Sequence, residues 1–185
     1  MRISLARTCA FASAFVWLCL TVACNKEPLE NIIPAPPQPV EDTTFTMNNP
    51  VNQLLLLDLI NNVRAKGCDC GDTIMGPAPA IRWNKSLERA AYLHSTDMDT
   101  RNYFAHTDKD GKNAGYRISS MGYPWQAWGE NIALGILTER TVVDGWSKSP
   151  VHCRVLMNPK FTEMGVAKVG NFWTQELASP KSVVH

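Results

Sequence analysis

The sequence has no excess of charge of either sign: 18 Lys and Arg stand against 17 Asp and Glu in 185 residues. Nor does any stretch carry a basic run. Nucleic acid is bound by clustered cations, so this balance gives no electrostatic case for such a partner. No internal repeat is present, which sets repeat architectures aside. No strand-helix-strand alternation runs along the chain, which argues against a parallel βαβ sheet. The one extended apolar run, Cys9 through Ala23, is shorter than the ~20 residues that a membrane-crossing helix needs.

What is present begins with that run. Residues 1–23 carry Arg2, Arg7 and no acid ahead of and within an apolar stretch, the layout of a secretory signal. Leu20-Thr21-Val22-Ala23-Cys24 then places a small residue directly before a cysteine, which resembles the bacterial lipoprotein processing box, although Thr21 replaces the usual aliphatic residue. The expectation is lipid attachment at Cys24 and a chain anchored in the bacterial cell envelope, facing the periplasm or the exterior. Ordinary cleavage that leaves Cys24 as a thiol is the alternative. Loss of residues 1–23 would change the net charge from +1 to −1. Residues 24–52 are rich in proline and poor in periodic apolar content, as a semi-rigid spacer is.

The remainder, 53–178 with a tail at 179–185, reads as one domain. Asn52–Gly67 places Leu55, Leu56, Leu59, Ile60 and Val63 on one helical face, and Gly67 ends it. The next stretch, from Cys68 to Ala80, reads as loop. Asn84 is a cap for a helix over Lys85–Asn102, whose inward stripe contains His94; a histidine so placed is most simply a hydrogen-bonded core residue. Asp108-Lys109-Asp110-Gly111 signals a turn, Asn113–Met121 a further helix, and Trp125–Leu134 a segment part extended and part turn. Thr138 caps a helix that runs to Lys148. Thr162–Val169 and Phe172–Leu177 flank Gly170-Asn171 as an antiparallel hairpin. Helices first and a hairpin last predict an α+β fold, a sheet covered by helices.

Val142–Pro159 concentrates an indole, a histidine, a thiol and two prolines. Ser149-Pro150 should end one helix and open another, with His152 and Cys153 in the first turn of the second. Three cysteines remain in the domain, Cys68, Cys70 and Cys153, which in an exported protein favours one disulfide. We take it as Cys70 with Cys153, leaving Cys68 free; Cys68 with Cys153, or a close-spaced metal site, are the rivals. His106, Glu130 and His152 all fall in turn-like, aromatic-rich settings. Two imidazoles and a carboxylate can bind a divalent cation such as zinc, or share protons.

The motifs HSTDM, YFAHTDKDG, GENIALG, GWSKSPVHC, LMNPKFTEMGVA and FWTQ, in this order, resemble the CAP superfamily of cysteine-rich secretory, antigen 5 and pathogenesis-related 1 proteins. The chain is similar to the bacterial secreted SCP-domain branch. The resemblance implies a three-layer α-β-α sandwich with a largely antiparallel central sheet. It also implies a cleft in which eukaryotic members hold two histidines and two glutamates, sometimes with a divalent cation. His106 matches the histidine of YFAH and Glu130 the glutamate of GEN. The other two positions depart: one falls at or near Ser149, and the other is Phe172. His152 belongs to the bacterial SPxH variant, so the cleft residues are expected to be His106, Glu130 and His152, with His106 and His152 as the metal candidates.

The expected function is a ligand- or partner-binding module, a monomer attached to the membrane by its N-terminal lipid. Sterol, lipid or another small ligand is what the resemblance suggests. The alternative is a hydrolase with Glu130 as general base and the histidines orienting water or a metal; Ser149 is its only nucleophile candidate, and a serine before proline is more simply a cap. A purely structural role, in which these groups hydrogen-bond across elements, is the third reading.

Overall fold

A computed structural model describes residues 46–182. These fall within one of the two compact units of the chain, Thr43–His185. The signal segment 1–23, Cys24, and residues 24–45 of the spacer lie outside the described residues.

Capping chemistry and apolar spacing place the helices. Helix α1 spans Gln53–Lys66, with the Asn52 side chain accepting from the Leu55 amide at 3.0 Å. A hairpin of two short strands follows, β1 (Cys68–Asp69) and β2 (Ile74–Met75), where the sequence reads as loop. Strand β3 is Arg82–Trp83. Asn84 then caps α2, Lys85–Thr100, by accepting from Ser86 and Leu87. This helix stops two residues before the expected end, and Asn102 adopts a positive φ of 50°. Helix α3 is Ala114–Ser120, capped by Asn113. Helices α4 (Glu139–Lys148) and α5 (Pro150–Leu156) meet at Ser149, with Pro150 in the first position of the second.

Trp125–Leu134 is not part turn. It forms one ten-residue strand, β4, paired along its length with β6 (Phe172–Pro180). The apolar-polar alternation that marks a half-exposed strand is absent because both faces of β4 are covered at its centre: Gly129 through Ile132 are all buried. Strand β5, Glu163–Val169, pairs antiparallel with β6 and parallel with β3. The sheet order is β3-β5-β6-β4, so β4 is an outer strand.

Two apolar clusters, one on each side of this sheet, make the three-layer α-β-α sandwich. On one side Leu56 and Ile60 of α1, Val142 and Trp146 of α4 and Leu156 of α5 meet Met164, Val166, Trp173 and Leu177. On the other, Leu87 and Ala90 of α2 and Ile118 of α3 meet Ala178. Burying a side chain of this size contributes roughly 1.5–3 kcal/mol. Helix α2 lies so close to β5 that a Cβ on Gly165 would overlap the backbone atoms of Leu87 and Glu88. The backbone of α2 therefore rests directly on the sheet at Gly165, with little slack.

The domain's contacts reach past 53–178 at both ends. Asn49 donates to Glu88 Oε1 at 2.8 Å and to the Val166 carbonyl at 3.0 Å, while Ser179 is buried within β6.

Candidate functional site

The site grows around Glu130, at the middle of the outer strand. Alternation along β6 turns Trp173, Gln175 and Leu177 to the α1/α4/α5 side and Thr174, Glu176 and Ala178 to the α2/α3 side. Glu130 pairs in register with Glu176. Two carboxyl groups are thereby placed side by side in the interior, the Glu130 side chain 2% exposed and that of Glu176 0%. Buried charge must be paired or neutralised, and the fold does both.

Arg117, on the inward face of α3, supplies the cation. Its guanidinium donates to Glu130 Oε2 and, from Nε at 3.4 Å, to Glu176 Oε1. The same group donates to the backbone carbonyls of His106 and Lys112, each at 3.1 Å. It thus pins the turn that presents His106. Within that turn Asp108 Oδ1 accepts from the Asp110 and Lys112 amides at 2.9 and 2.8 Å. His106 Nδ1 lies 2.6 Å from Glu130 Oε1, so both carboxylate oxygens of Glu130 are engaged.

The proton affinities separate accordingly. Burial alone would raise Glu130, but the His106 hydrogen bond and the charges of Arg117 and His94 hold it below the ordinary carboxylate range. Glu176 is pushed well above it, first by burial and then by the Glu130 charge. Glu130 is thus held toward the carboxylate and Glu176 toward the neutral acid. His106 is raised by its hydrogen bond to Glu130. His94 is lowered by burial; it sits in the α2 stripe, and its Nε2 meets the Ala105 carbonyl at 3.0 Å. Its role is to hold the residue before His106.

His152 lies on α5, a helix of the other layer that packs against β4. It is half-buried in α5, and its carbonyl accepts from Asn131, the neighbour of Glu130, at 3.3 Å. Burial lowers its proton affinity, and the charge of His106 lowers it further. Beside it opens a cavity of about 460 Å³ whose wall is mainly apolar, with Phe104, Ile132, Leu137, Val142, Trp146 and His152 among the lining residues. The Trp146 indole donates to the Ile132 carbonyl at 3.3 Å, which leaves its ring as wall. Ser149 also lines this cavity, and its hydroxyl makes no cap hydrogen bond.

The three residues expected at the cleft are thus brought together, His106 directly against Glu130 and His152 within electrostatic reach. As metal ligands they fit poorly. Arg117 already supplies the positive charge beside Glu130, and among the described residues the only three His, Cys, Asp or Glu side chains whose donor atoms lie within 4.8 Å of one another are Cys68, Cys70 and Cys153. Two of those sulfurs are joined to each other: Cys70 and Cys153 form a disulfide with Cα atoms 5.4 Å apart. Cys68 is a free thiol.

Arg117 and Glu176 were not among the expected site residues. Their signals are nonetheless in the chain. Arg117 interrupts the buried face of α3 next to Ile118, and Glu176 sits mid-strand between Gln175 and Leu177 with buried neighbours on each side. A charged group in such a place calls for a partner.

The model of the cysteine-rich secretory protein family (CAP) matches residues 57–176. The uncharacterized membrane protein YlbC of Bacillus subtilis is 30% identical over 139 residues, covering 75% of this chain and 38% of that protein. YkwD, an uncharacterized protein of the same organism, is 35% identical over 98 residues, 52% of this chain and 38% of its own length. The chain therefore spans under two fifths of the curated relatives it matches. An extracellular protein containing an SCP domain from Bacillus anthracis has a similar structure, with a TM-score of 0.60 at 29% identity over 68% of this chain and 39% of that one. An outer surface protein from Borrelia burgdorferi gives a TM-score of 0.59 at 20% identity, over 69% and 92% of the two chains. At that identity the likeness shows the fold alone. No described helix is long and apolar enough to cross a membrane.

Proposed function

The chain belongs to the cysteine-rich secretory protein (CAP) family, and from that premise we propose that it is an exported binding module of the bacterial cell envelope. Lipid at Cys24 anchors it, and the spacer holds the domain off the surface. The ligand is a small, largely apolar molecule such as a sterol or fatty acid, seated in the cavity beside His152 with its polar end toward His106. One observation carries this reading: the mainly apolar cavity of about 460 Å³ has a single titratable side chain, His152, in its wall. Apolar walls with a few convergent polar groups are the usual composition of a small-molecule site. Purification from the native host followed by mass spectrometry of organic extracts is the test. A stoichiometric lipid or other apolar compound is expected, whereas no co-purifying compound and no saturable uptake of any fatty acid or sterol counts against it.

The hydrolase reading draws on the 2.6 Å contact between His106 and Glu130. A general base needs free lone pairs and a raised proton affinity. Glu130 has both oxygens engaged and is held low, so it is better suited to fixing the His106 ring than to taking a proton from water. Against any substrate the wild type cleaves, a Glu130→Gln, His106→Ala double variant with undiminished turnover would remove the hydrolase reading.

A further inference from the structure

The disulfide has a third sulfur beside it. The Sγ atoms of Cys68, Cys70 and Cys153 all lie within 4.8 Å of one another. Cys68 is the free member, part-buried, with its thiol donating to the Ser147 carbonyl at 3.4 Å. The local chain explains the cluster. Cys68 opens β1, which pairs with β2 through Cys68 and Met75. Residues two apart in extended chain project to the same side, so Cys68 and Cys70 both face α5, which packs against β1 and carries Cys153.

We propose that these three cysteines form a thiol–disulfide exchange centre, in which the Cys68 thiolate displaces Cys70 from Cys153 and the bridge moves two residues along the β1–β2 hairpin. One S–S bond, Cys70–Cys153, breaks as another, Cys68–Cys153, forms. Cys70 leaves as the thiolate and takes up the proton that Cys68 released to solvent. Nothing is oxidised or reduced overall, and no outside oxidant is needed. Attack on the Cys70 sulfur is disfavoured, because it would bridge alternate residues of an extended segment, whose Cα atoms are roughly 6.6 Å apart, near the upper limit for a disulfide. Cys153 is the pivot, and it follows His152, so the exchange acts on the helix that carries the cleft histidine.

Burial first, and then the Asp69 charge, raise the Cys68 thiol above its ordinary value. Thiolate is scarce at neutral pH, and the exchange should quicken about tenfold per pH unit until the thiol ionises.

The test is disulfide mapping of the purified chain after incubation at neutral pH and at about pH 9 without added thiol, with acid quench, alkylation and a protease that cuts before Asp69 to separate Cys68 from Cys70. A Cys68–Cys153 peptide that appears faster at the higher pH, at a rate independent of protein concentration, is expected. Cys68→Ser should abolish it, and Cys70→Ser should pair Cys68 with Cys153 in a glutathione redox buffer. Only Cys70–Cys153 in the wild-type chain after prolonged incubation at about pH 9 overturns the proposal, whatever the variants do.

Discussion

Replacing Arg117 by methionine keeps an unbranched apolar stem and removes the cation that balances the Glu130 carboxylate. With the two side chains 9% and 2% exposed, solvent cannot take over the neutralisation. Breaking a buried pair from one side costs roughly 3–5 kcal/mol, which is a large part of the ~5–15 kcal/mol that holds a domain together. For a domain of this size that is a fall in melting temperature of about 10–20 °C. The pH dependence identifies the cause. In the wild type Glu130 is held low, so its stabilising contribution is present above the unfolded value of ~4.3 and is lost as pH falls through the lower folded value. Without Arg117 the carboxyl should rise instead, and the deficit should widen from about pH 4 to pH 7. Glu176, raised and neutral, contributes little to the difference. The assay is urea unfolding of wild type, Arg117→Met, Glu130→Gln and the double variant across that range. The double variant should recover at least half of the loss. A single-variant cost below about 1 kcal/mol, unchanged between pH 4 and 7, would refute the assignment of Glu130 as a buried, paired carboxylate.

Histidine NMR titration should place His106 above the ordinary ~6.5 and His152 below it, following the Glu130 hydrogen bond and burial respectively. Glu130→Gln should bring His106 down, and titration of the two rings in the reverse order would contradict the site geometry. The stabilisation from His106 should be full below ~6.5 and fade as pH rises through its folded value, whereas that of neutral His152 should be full above ~6.5 and be lost as pH falls through its lower folded value. Gly165→Ala forces a Cβ into the α2 backbone and should destabilise by about 3 kcal/mol, measured by denaturant midpoint; an unchanged midpoint would mean that α2 sits further from the sheet. Cys153→Ser removes the cross-link in either pairing, over a sequence separation of 83 residues, and should cost up to about 4 kcal/mol, read as a difference from wild type that disappears when both are reduced.

Much of the fold was legible because its determinants are local. Asn84 and Thr138 each cap the helix they were expected to cap, Asn113, read as the first residue of its helix, is instead the cap, and Gly170, at φ 56°, turns the expected hairpin. Strand β4 was misread for the opposite reason: its pattern depends on helices from two layers that cover both its faces. The motif match carried His106 and Glu130 to one place, and the SPxH segment carried His152. Arg117 and Glu176 were harder, since their meaning lies in the cross-strand register of Glu130 with Glu176, which joins residues far apart in the chain. The metal expectation, drawn from residue types and from the resemblance, did not include Arg117, whose cation lies against Glu130.

The central claim is that the cavity beside His152 takes a ligand, and Gly145 allows it to be tested without dismantling the site. Gly145 lines the cavity, in the middle of α4, and a Cβ there would meet nothing within 4 Å. Gly145→Leu should fill the space and stabilise the helix by about 0.5–1 kcal/mol. Equilibrium titration with a fluorescent fatty acid should saturate for the wild type, be displaced by unlabelled fatty acid or sterol, and weaken at least about tenfold in the variant, ~1.4 kcal/mol, while its melting temperature holds or rises. Equal affinity in a folded Gly145→Leu protein, or no saturable signal in the wild type, would contradict the account.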